Sequence, residues 1–383
     1  MISLLNILVF ILSFLMLITF LVYFHELGHY LTARLFKVKV EKFSIGFGKP
    51  LLQWKSKNGT IWSLGRIPLG GYVKFFEIDN QKNDVVSHIK NDDKLFTTIP
   101  VFQRMLVVLA GPIFNFILTI FIFASLSFTL GSYKVESIVG TVVEGSPADK
   151  AGFLVGDKIL SMDNINVSDF NDLRRYVALR GDTDILAKIQ RNEAKLKLTI
   201  MPERMFEKDL IGGISETAKI GIGLSEPLVI TRLEYNFFEA IAYGYNELIS
   251  SISMTGYYIG RVIKGEEDGK QLGSIIKIAT ISGKVAVDAI NENTPMPIRL
   301  RELSIRLLTI GASLSVALGV ANLMPIPMLD GGHLVYYGYE AIAGRPLSQK
   351  KQEIGFQLGL AILFTLFVVL TLNDISYVSS IFS

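Results

Sequence analysis

Four long apolar stretches dominate the alternation of hydrophobic and polar positions along the chain. Residues 1–24 carry no Asp, Glu, Lys or Arg, and further charge-free runs cover Met105 to Tyr133, Leu307 to Leu329 and Ile354 to Asn373. A helix needs roughly 20 residues to cross a hydrocarbon core of about 30 Å, so each run reads as a membrane span. The first opens Met1-Ile2-Ser3-Leu4, without the basic start or small-residue cleavage site of a signal peptide, and is read as a retained helix. The second contains Gly111-Pro112-Ile113-Phe114-Asn115, where glycine permits close helix approach and proline frees a backbone carbonyl.

Between the second and third runs the pattern changes. Residues 131 to about 226 show short alternating apolar segments, Gly/Asp/Asn turns and one helical stretch near Asp169–Leu179, which predicts a small soluble domain. Residues 234–263 are rich in Tyr, Phe and Ile but interrupted by Glu239 and Glu247, which predicts an interfacial amphipathic helix rather than a fifth span. The expected order is a span over 1–33, a loop region over 34–104, a span over 105–133, the inserted domain over 134–226, and an amphipathic, membrane-associated segment over 227–298. A span over 299–332, a loop over 333–353, a span over 354–376 and a tail over 377–383 complete it.

Charge orients this arrangement. Lys and Arg are dense between Arg34 and Arg104, and Arg345, Lys350 and Lys351 lie between the last two spans, so the positive-inside rule makes both connections cytoplasmic. Arg299, Arg301 and Arg306 pull the other way. Of 383 residues half are apolar and 19% charged, which excludes a purely soluble enzyme. A net charge of +3 with no basic, aromatic-interleaved cluster excludes a nucleic-acid partner.

The chain has no cysteine, which removes disulfides, thiol nucleophiles and thiolate metal sites. Any metal must sit on His and carboxylate, and there are four histidines, His25, His29, His88 and His333. The motif His25-Glu26-Leu27-Gly28-His29 places two imidazoles one helical turn apart on one face, with Glu26 beside them as general base. A catalytic zinc takes three protein ligands, and Asp330 is the best third candidate. With four spans, the first and third run in the same direction and bring His25 and Asp330 to similar depth. Pro325 and Pro327 should break the third helix near its end. His333 could support the site or simply lie at the interface, and His88 falls in a polar, solvated loop.

HELGH in the first span, Gly111–Asn115 in the second, and Asn322 followed by Asp330-Gly331-Gly332 in the third together resemble the site-2 (M50-type) protease family of intramembrane zinc metalloproteases. More closely they resemble its bacterial regulator-of-sigma-E protease group. Ile67-Pro68-Leu69-Gly70-Gly71-Tyr72-Val73-Lys74 is similar to that group's membrane-associated β-hairpin. The resemblance implies Zn²⁺ on His25, His29 and Asp330, Glu26 as catalytic base, and Asn322, Asn115, Gly70, Gly71 and Tyr72 in contact with substrate, the two glycines forming the tight part of the hairpin. Gly145-Ser146-Pro147-Ala148-Asp149-Lys150-Ala151-Gly152 and Gly156-Asp157-Lys158-Ile159-Leu160 look like a bacterial PDZ domain, which implies peptide capture by β-addition. The chain departs from the group in having room for one such domain rather than two, and in carrying Leu272–Ala279 where the family has a Gly-Pro stretch.

The expected fold is therefore an α-helical polytopic membrane protein with four transmembrane helices, a cytoplasmic-side β-hairpin and one inserted extracytoplasmic PDZ domain. The expected activity is regulated intramembrane proteolysis of single-pass proteins such as anti-sigma factors or signal-peptide remnants, in a bacterial inner membrane, after an upstream site-1 protease has cut the same substrate. The alternatives are a non-catalytic PDZ-containing membrane scaffold and a metal transporter. A transporter would carry more polar residues through its spans, and a scaffold would have no use for Glu26 between two histidines at metal spacing.

Overall fold

The computed structural model describes residues 4–76, 94–167, 169–208, 213–224, 230–269 and 271–382. His88 lies outside them. The chain divides into two compact units, one holding residues 1–123, 244–252 and 273–372, the other 124–243, 253–272 and 373–383.

Among the described residues four helices are long and apolar enough to cross a membrane: α1 (Leu4–Leu35), α2 (Val101–Leu130), α7 (Met296–Asn322) and α9 (Gln349–Phe382). In the first unit, α1 leads directly into β1 (Val40–Lys55) and β2 (Ile61–Phe75), and a turn of 3-10 helix at Phe96–Thr98 precedes α2. Both strands are long enough to fold on themselves. Lys42, Phe43, Ser44 and Ile45 pair on one side with residues 71–74 and on the other with residues 61–64, which pair in turn with 52–55. The result is four ribbons in the order 52–55, 61–64, 42–45, 71–75. Their core is aromatic: Phe43 packs against Trp62 at 4.3 Å between ring centres and against Tyr30 of α1 at 5.7 Å. Val38, Val40, Ile99 and Val107 close the same cluster, so the sheet is fixed to the ends of α1 and α2.

To make these ribbons the chain reverses direction between 45 and 52, between 55 and 61, and between 64 and 71. The chain reverses at Ser56–Gly59, where the Gly59 N–H donates to Ser56 O and the Ser56 N–H to Thr60 O. Gly59 has φ +85°, which an L side chain resists. Gly70, at φ +120°, stands at the end of the reversal between 64 and 71, and Gly71 opens the outermost ribbon, where it pairs with Ile45.

Small residues let α7 approach α2. Gly311, Ala312, Ser315 and Gly319 form a buried stripe at helical spacing. The Ser315 hydroxyl donates to Asn115 O at 2.8 Å, and Thr119 donates to Asn115 O and Ala312 O at 3.1 Å each, which satisfies polar groups where lipid would not. The third helix is broken near its end, as Pro325 and Pro327 predicted: α7 stops at Asn322, and Pro325, Pro327 and Met328 at φ +84° carry the chain through a bend. A separate helix, α8 (Asp330–Ala343), begins at Asp330 and ends at Gly344 in the left-handed conformation. Most of 333–353, expected as a loop, is therefore helical. A Cβ on Gly331 or Gly332 would collide with the carbonyls of residues 323, 324 and 326, so these glycines let the bend fold over the start of α8. Within the segment 227–298 the structure also contains α6 (Ile275–Asn291). Lys277, Lys284 and Asp288 mask its pattern in the sequence, but its small residues Ser282, Gly283, Ala286 and Ala289 are buried, and Gly283 leaves room for the Phe10 ring of α1.

The second unit holds the inserted domain. Strands β5 (Lys158–Met162), β6 (Ile165–Asn166), β7 (Ile185–Arg191) and β8 (Ala194–Ile200) form an antiparallel sheet in the order β6-β5-β7-β8. Two-stranded pairs join β3 (Ser132–Val135) to β12 (Ile230–Leu233), β4 (Val139–Val142) to β11 (Ile222–Leu224), and β9 (Glu203–Lys208) to β10 (Ile214–Lys219). Helices α3 (Pro147–Lys150) and α4 (Phe170–Ala178) cover a core of Val139, Phe153, Ile159, Met162, Leu173, Ile185 and Ile189. Helix α4 starts at Asp169, whose carboxylate accepts from Asn171 N, close to the sequence expectation. Helix α5 (Phe237–Ile263) begins with a reciprocal capping box between Asn236 and Glu239 and covers the stretch expected to be amphipathic.

Candidate metal centre

The histidines of HELGH sit near the end of α1, and the Asp330 carboxylate at the start of α8 meets them. His25 Nε2 lies 3.3 Å from His29 Nε2 and 3.3 Å from Asp330 Oδ2, and His29 Nε2 lies 3.5 Å from the same oxygen. These are the residues among those described that are grouped so as to hold a metal ion. A tetrahedral zinc with ligands at about 2.0–2.1 Å sets neighbouring donor atoms about 3.3–3.4 Å apart, so the triangle has the size that zinc requires. Asp330 Oδ2 is also buried without a hydrogen-bond partner. A buried carboxylate oxygen left this way is costly, and a cation at the centre of the triangle answers that cost.

The atoms behind the triangle set the histidine tautomers. The His29 Nδ1–H donates to Val107 O at 2.9 Å; because a carbonyl only accepts, the proton is on Nδ1 and the Nε2 lone pair is free. Val107 O lies one residue before Val108 O, whose helical donor Pro112 removes. On His25, the side-chain amide of Asn115 lies 3.1 Å from Nδ1, and Asn115 Oδ1 is buried without a partner. With the amide turned so that Oδ1 faces the ring, it accepts the Nδ1–H and leaves His25 Nε2 free as well. Asn115, which the resemblance placed at the substrate, is fully buried and lies against the imidazole instead.

Glycines make the close fit possible. A Cβ on Gly28 would strike the Ala110 backbone of α2, and one on Gly111 would strike both imidazoles. Glu26 is buried beside the triangle. The Val73 backbone of the outer ribbon faces its carboxylate, and Gly71 lies against its Cγ, so a side chain at 71 would push Glu26 away. Tyr72 stacks on Phe47 at 6.1 Å and lies under the Lys42 ammonium. Asn322, at the end of α7, places its amide 3.5 Å from His25 Nε2, at the mouth of the triangle. His333 is exposed on α8 and stands outside the triangle.

The sequence did not signal the clasp that holds α8. Arg104 of α2 grips Glu340 of α8 through two hydrogen bonds of 2.7 and 3.1 Å, both side chains nearly buried, and lies over the Tyr337 ring at 5.0 Å. The partners are 236 residues apart in sequence, and only the fold brings them together.

HELGH on a span, a carboxylate from a second helix meeting it at zinc dimensions, and a buried Glu alongside define a zinc metallopeptidase built within membrane helices. Comparison with known proteins agrees. The profile of Peptidase family M50 matches residues 13–366, and the chain belongs to that family. A protein of Agrobacterium fabrum named as a zinc metalloprotease is 38% identical over 374 residues, covering 96% of each chain. Metalloprotease MmpA of Caulobacter vibrioides is 36% identical over 387 residues, again covering 96% of each. A Rickettsia conorii protein named as a zinc metalloprotease is 36% identical over 371 residues, covering 95% of this chain and 98% of its own. The chain is a multi-pass membrane metallopeptidase with zinc as its cofactor.

Proposed function

We propose that His25, His29 and Asp330 hold the zinc, that Glu26 is the catalytic base, and that the substrates are single-pass membrane proteins already shortened outside the membrane by another protease. The observation that carries this reading is the triangle of donor atoms at 3.3, 3.3 and 3.5 Å with a buried glutamate beside it. Zinc bound there supplies Lewis-acid polarisation of the scissile carbonyl and lowers the pKa of water. Glu26 takes a proton from the attacking water and returns it to the leaving amide nitrogen. The ribbon at Gly71 and Val73 packs against the Glu26 side chain and positions it for both transfers. Val107 O and Asn115 hold the two imidazoles in the tautomer that ligates. The Asn322 amide is placed to donate to the substrate carbonyl as negative charge develops on its oxygen.

A transmembrane substrate hides its amides in helical hydrogen bonds and must unwind before it is cut. Among the described residues the ribbon 71–75 pairs with a strand on one side only, beside Glu26, and its free edge can pair with the extended segment. In the second unit, a groove of about 620 Å³ runs between α4 and the 218–223 strand segment, with Leu173, Val177, Ile220 and Ile222 in its walls. This shape supports the reading of residues 134–226 as a PDZ domain that docks or filters shortened substrates outside the cytoplasm. The basic loops at 34–104 and 345–351 support a reading in which the metal centre lies near the cytoplasmic side of a bacterial inner membrane.

The test is cleavage of a truncated single-pass substrate by the full chain in lipid nanodiscs, wild type against Glu26→Gln. The variant should keep its zinc and lose turnover. Turnover retained by Glu26→Gln removes the assignment.

A further inference from the structure

The outer ribbon of the sheet farthest from Glu26 has a chemistry that the peptidase reaction does not use. From Lys42 to Phe76 the chain contains six Lys and Arg and no Asp or Glu. Lys42 is taken up by the Tyr72 ring and Lys74 by Glu41. Lys49, Lys55, Lys57 and Arg66 are exposed, and none has an acidic partner among the described residues. Large apolar side chains stand between these cations. Leu51, Leu52 and Trp54 are 58%, 62% and 55% exposed, and Phe47 and Ile67, paired across the strands, are 45% and 54% exposed.

An apolar strand edge open to water is an aggregation site unless something covers it, and a monomer seldom leaves one bare. Apolar side chains with an interfacial Trp call for the boundary between acyl chains and headgroups. A neutral bilayer would answer the leucines and Trp54 but give four unpaired cations nothing to bind. Anionic headgroups answer both, since each Lys or Arg within reach of a negatively charged leaflet gains from it. Lys49 and Lys55 lie at the two ends of the apolar stretch and Lys57 in the turn beyond, so positive charge brackets the inserted side chains and the basic stems can run along the apolar surface with their heads at the phosphates.

We propose that residues 47–57 with Arg66 and Ile67 form an interfacial anchor selective for anionic phospholipid, which holds the sheet, and through it the ribbon beside Glu26, at the level of the headgroups. The occupant is a phosphodiester headgroup of the surrounding leaflet. The acidic flank of a protein substrate is the competing occupant that the experiment distinguishes.

The chain's two tryptophans, Trp54 and Trp62, both lie in this sheet, so intrinsic fluorescence of the whole protein reports on it alone. The full chain is placed in nanodiscs containing equal fractions of phosphatidylglycerol and phosphatidylcholine, without substrate, with bromine on the acyl chains of one lipid or the other. Brominated phosphatidylglycerol should quench more strongly than brominated phosphatidylcholine, and a Trp62→Phe variant should show the same order from Trp54 alone. Combined Lys49→Gln, Lys55→Gln, Lys57→Gln and Arg66→Gln should bring the two close to equal, weakening the preference at least about fivefold, the value of one cation near a charged surface. Arginine at 49, 55 and 57 should preserve the preference, which separates charge from damage to the fold. Equal quenching by both lipids in the wild type, or none by either, overturns the proposal. So does a preference that appears only when an acidic substrate peptide is added.

Discussion

Gly111→Ala pits helix propensity against the metal centre. In the middle of a helix, Ala is favoured over Gly by about 0.8–1.0 kcal/mol, so propensity alone predicts a more stable protein. The structure predicts the opposite at the site. A Cβ on Gly111 would stand 2.5 Å from His29 Cε1 and 2.8 Å from His25 Cε1, against an ordinary carbon contact of about 3.5 Å. The rings must retreat by roughly 0.7–1 Å, whereas a metal site tolerates ligand displacements of about 0.2 Å. Overpacking of this kind costs about 1–3 kcal/mol, which cancels or exceeds the propensity gain. The larger effect falls on function, because misplacing ligands by about 1 Å costs on the order of 10²-fold. The assay is zinc per chain at buffered free zinc, with cleavage of a single-pass substrate by the same nanodisc preparation. Gly256→Ala is the control: it is also helical, but its Cβ would meet no atom within 4 Å, and it should leave both readouts unchanged. A Gly111→Ala protein with wild-type zinc affinity and turnover would refute the claim that α2 presses the two imidazoles into their ligating geometry.

Two further outcomes follow from the same geometry. Arg104→Gln leaves Glu340 without its bidentate partner; removing one member of a buried pair costs about 3–5 kcal/mol, and the residual exposure here lowers that to about 2–3 kcal/mol. Because Glu340 anchors the helix that starts with Asp330, zinc should be lost to a chelator at least about tenfold faster, and an unchanged rate would separate the clasp from the site. In the inserted domain, burial pushes the Asp157 carboxyl up, but the Arg191 fork at 2.8 and 2.9 Å and the Leu154 N–H at 2.8 Å outweigh it and hold the group below the usual carboxylate range. A lowered folded value gives stability that is complete above the unfolded value of about 3.9 and lost as pH falls through the folded one. Amide exchange of residues 139–200 in the full chain should therefore accelerate below about pH 4, and Asp157→Asn should be less protected at neutral pH with a flatter acid response.

The chemistry was more legible in the sequence than its mounting. That His25, His29 and Asp330 come together could be read because candidate ligands are few in a chain without cysteine and because helical spacing places the first two on one face. Asp330 does meet the two histidines, but from the start of a separate helix. The charge-free run from Leu307 to Leu329 holds the end of α7 and the bend that its two prolines predict, but the residues after it, read as a loop, form α8 from Asp330. Helix α6 stayed hidden because its buried face is made of Ser, Gly and Ala, which carry little hydropathy signal in a segment containing Lys277, Lys284 and Asp288. Gly70 and Gly71 were read as a turn, and Gly70 does stand at one; that Gly71 also makes room for Glu26 had no signal in the sequence. The clasp between Arg104 and Glu340 and the hydrogen bonds from Val107 and Asn115 to the imidazoles have no local signature.

The most direct test of the account is to locate the metal. Crystals of the active, full-length protein should show one anomalous peak at the zinc edge, bounded by His25 Nε2, His29 Nε2 and Asp330 Oδ2 at about 2.0–2.2 Å each, and Glu26→Gln crystals should show the same peak in an inactive enzyme. A peak elsewhere on the chain, or active protein with no zinc between these three atoms, contradicts it.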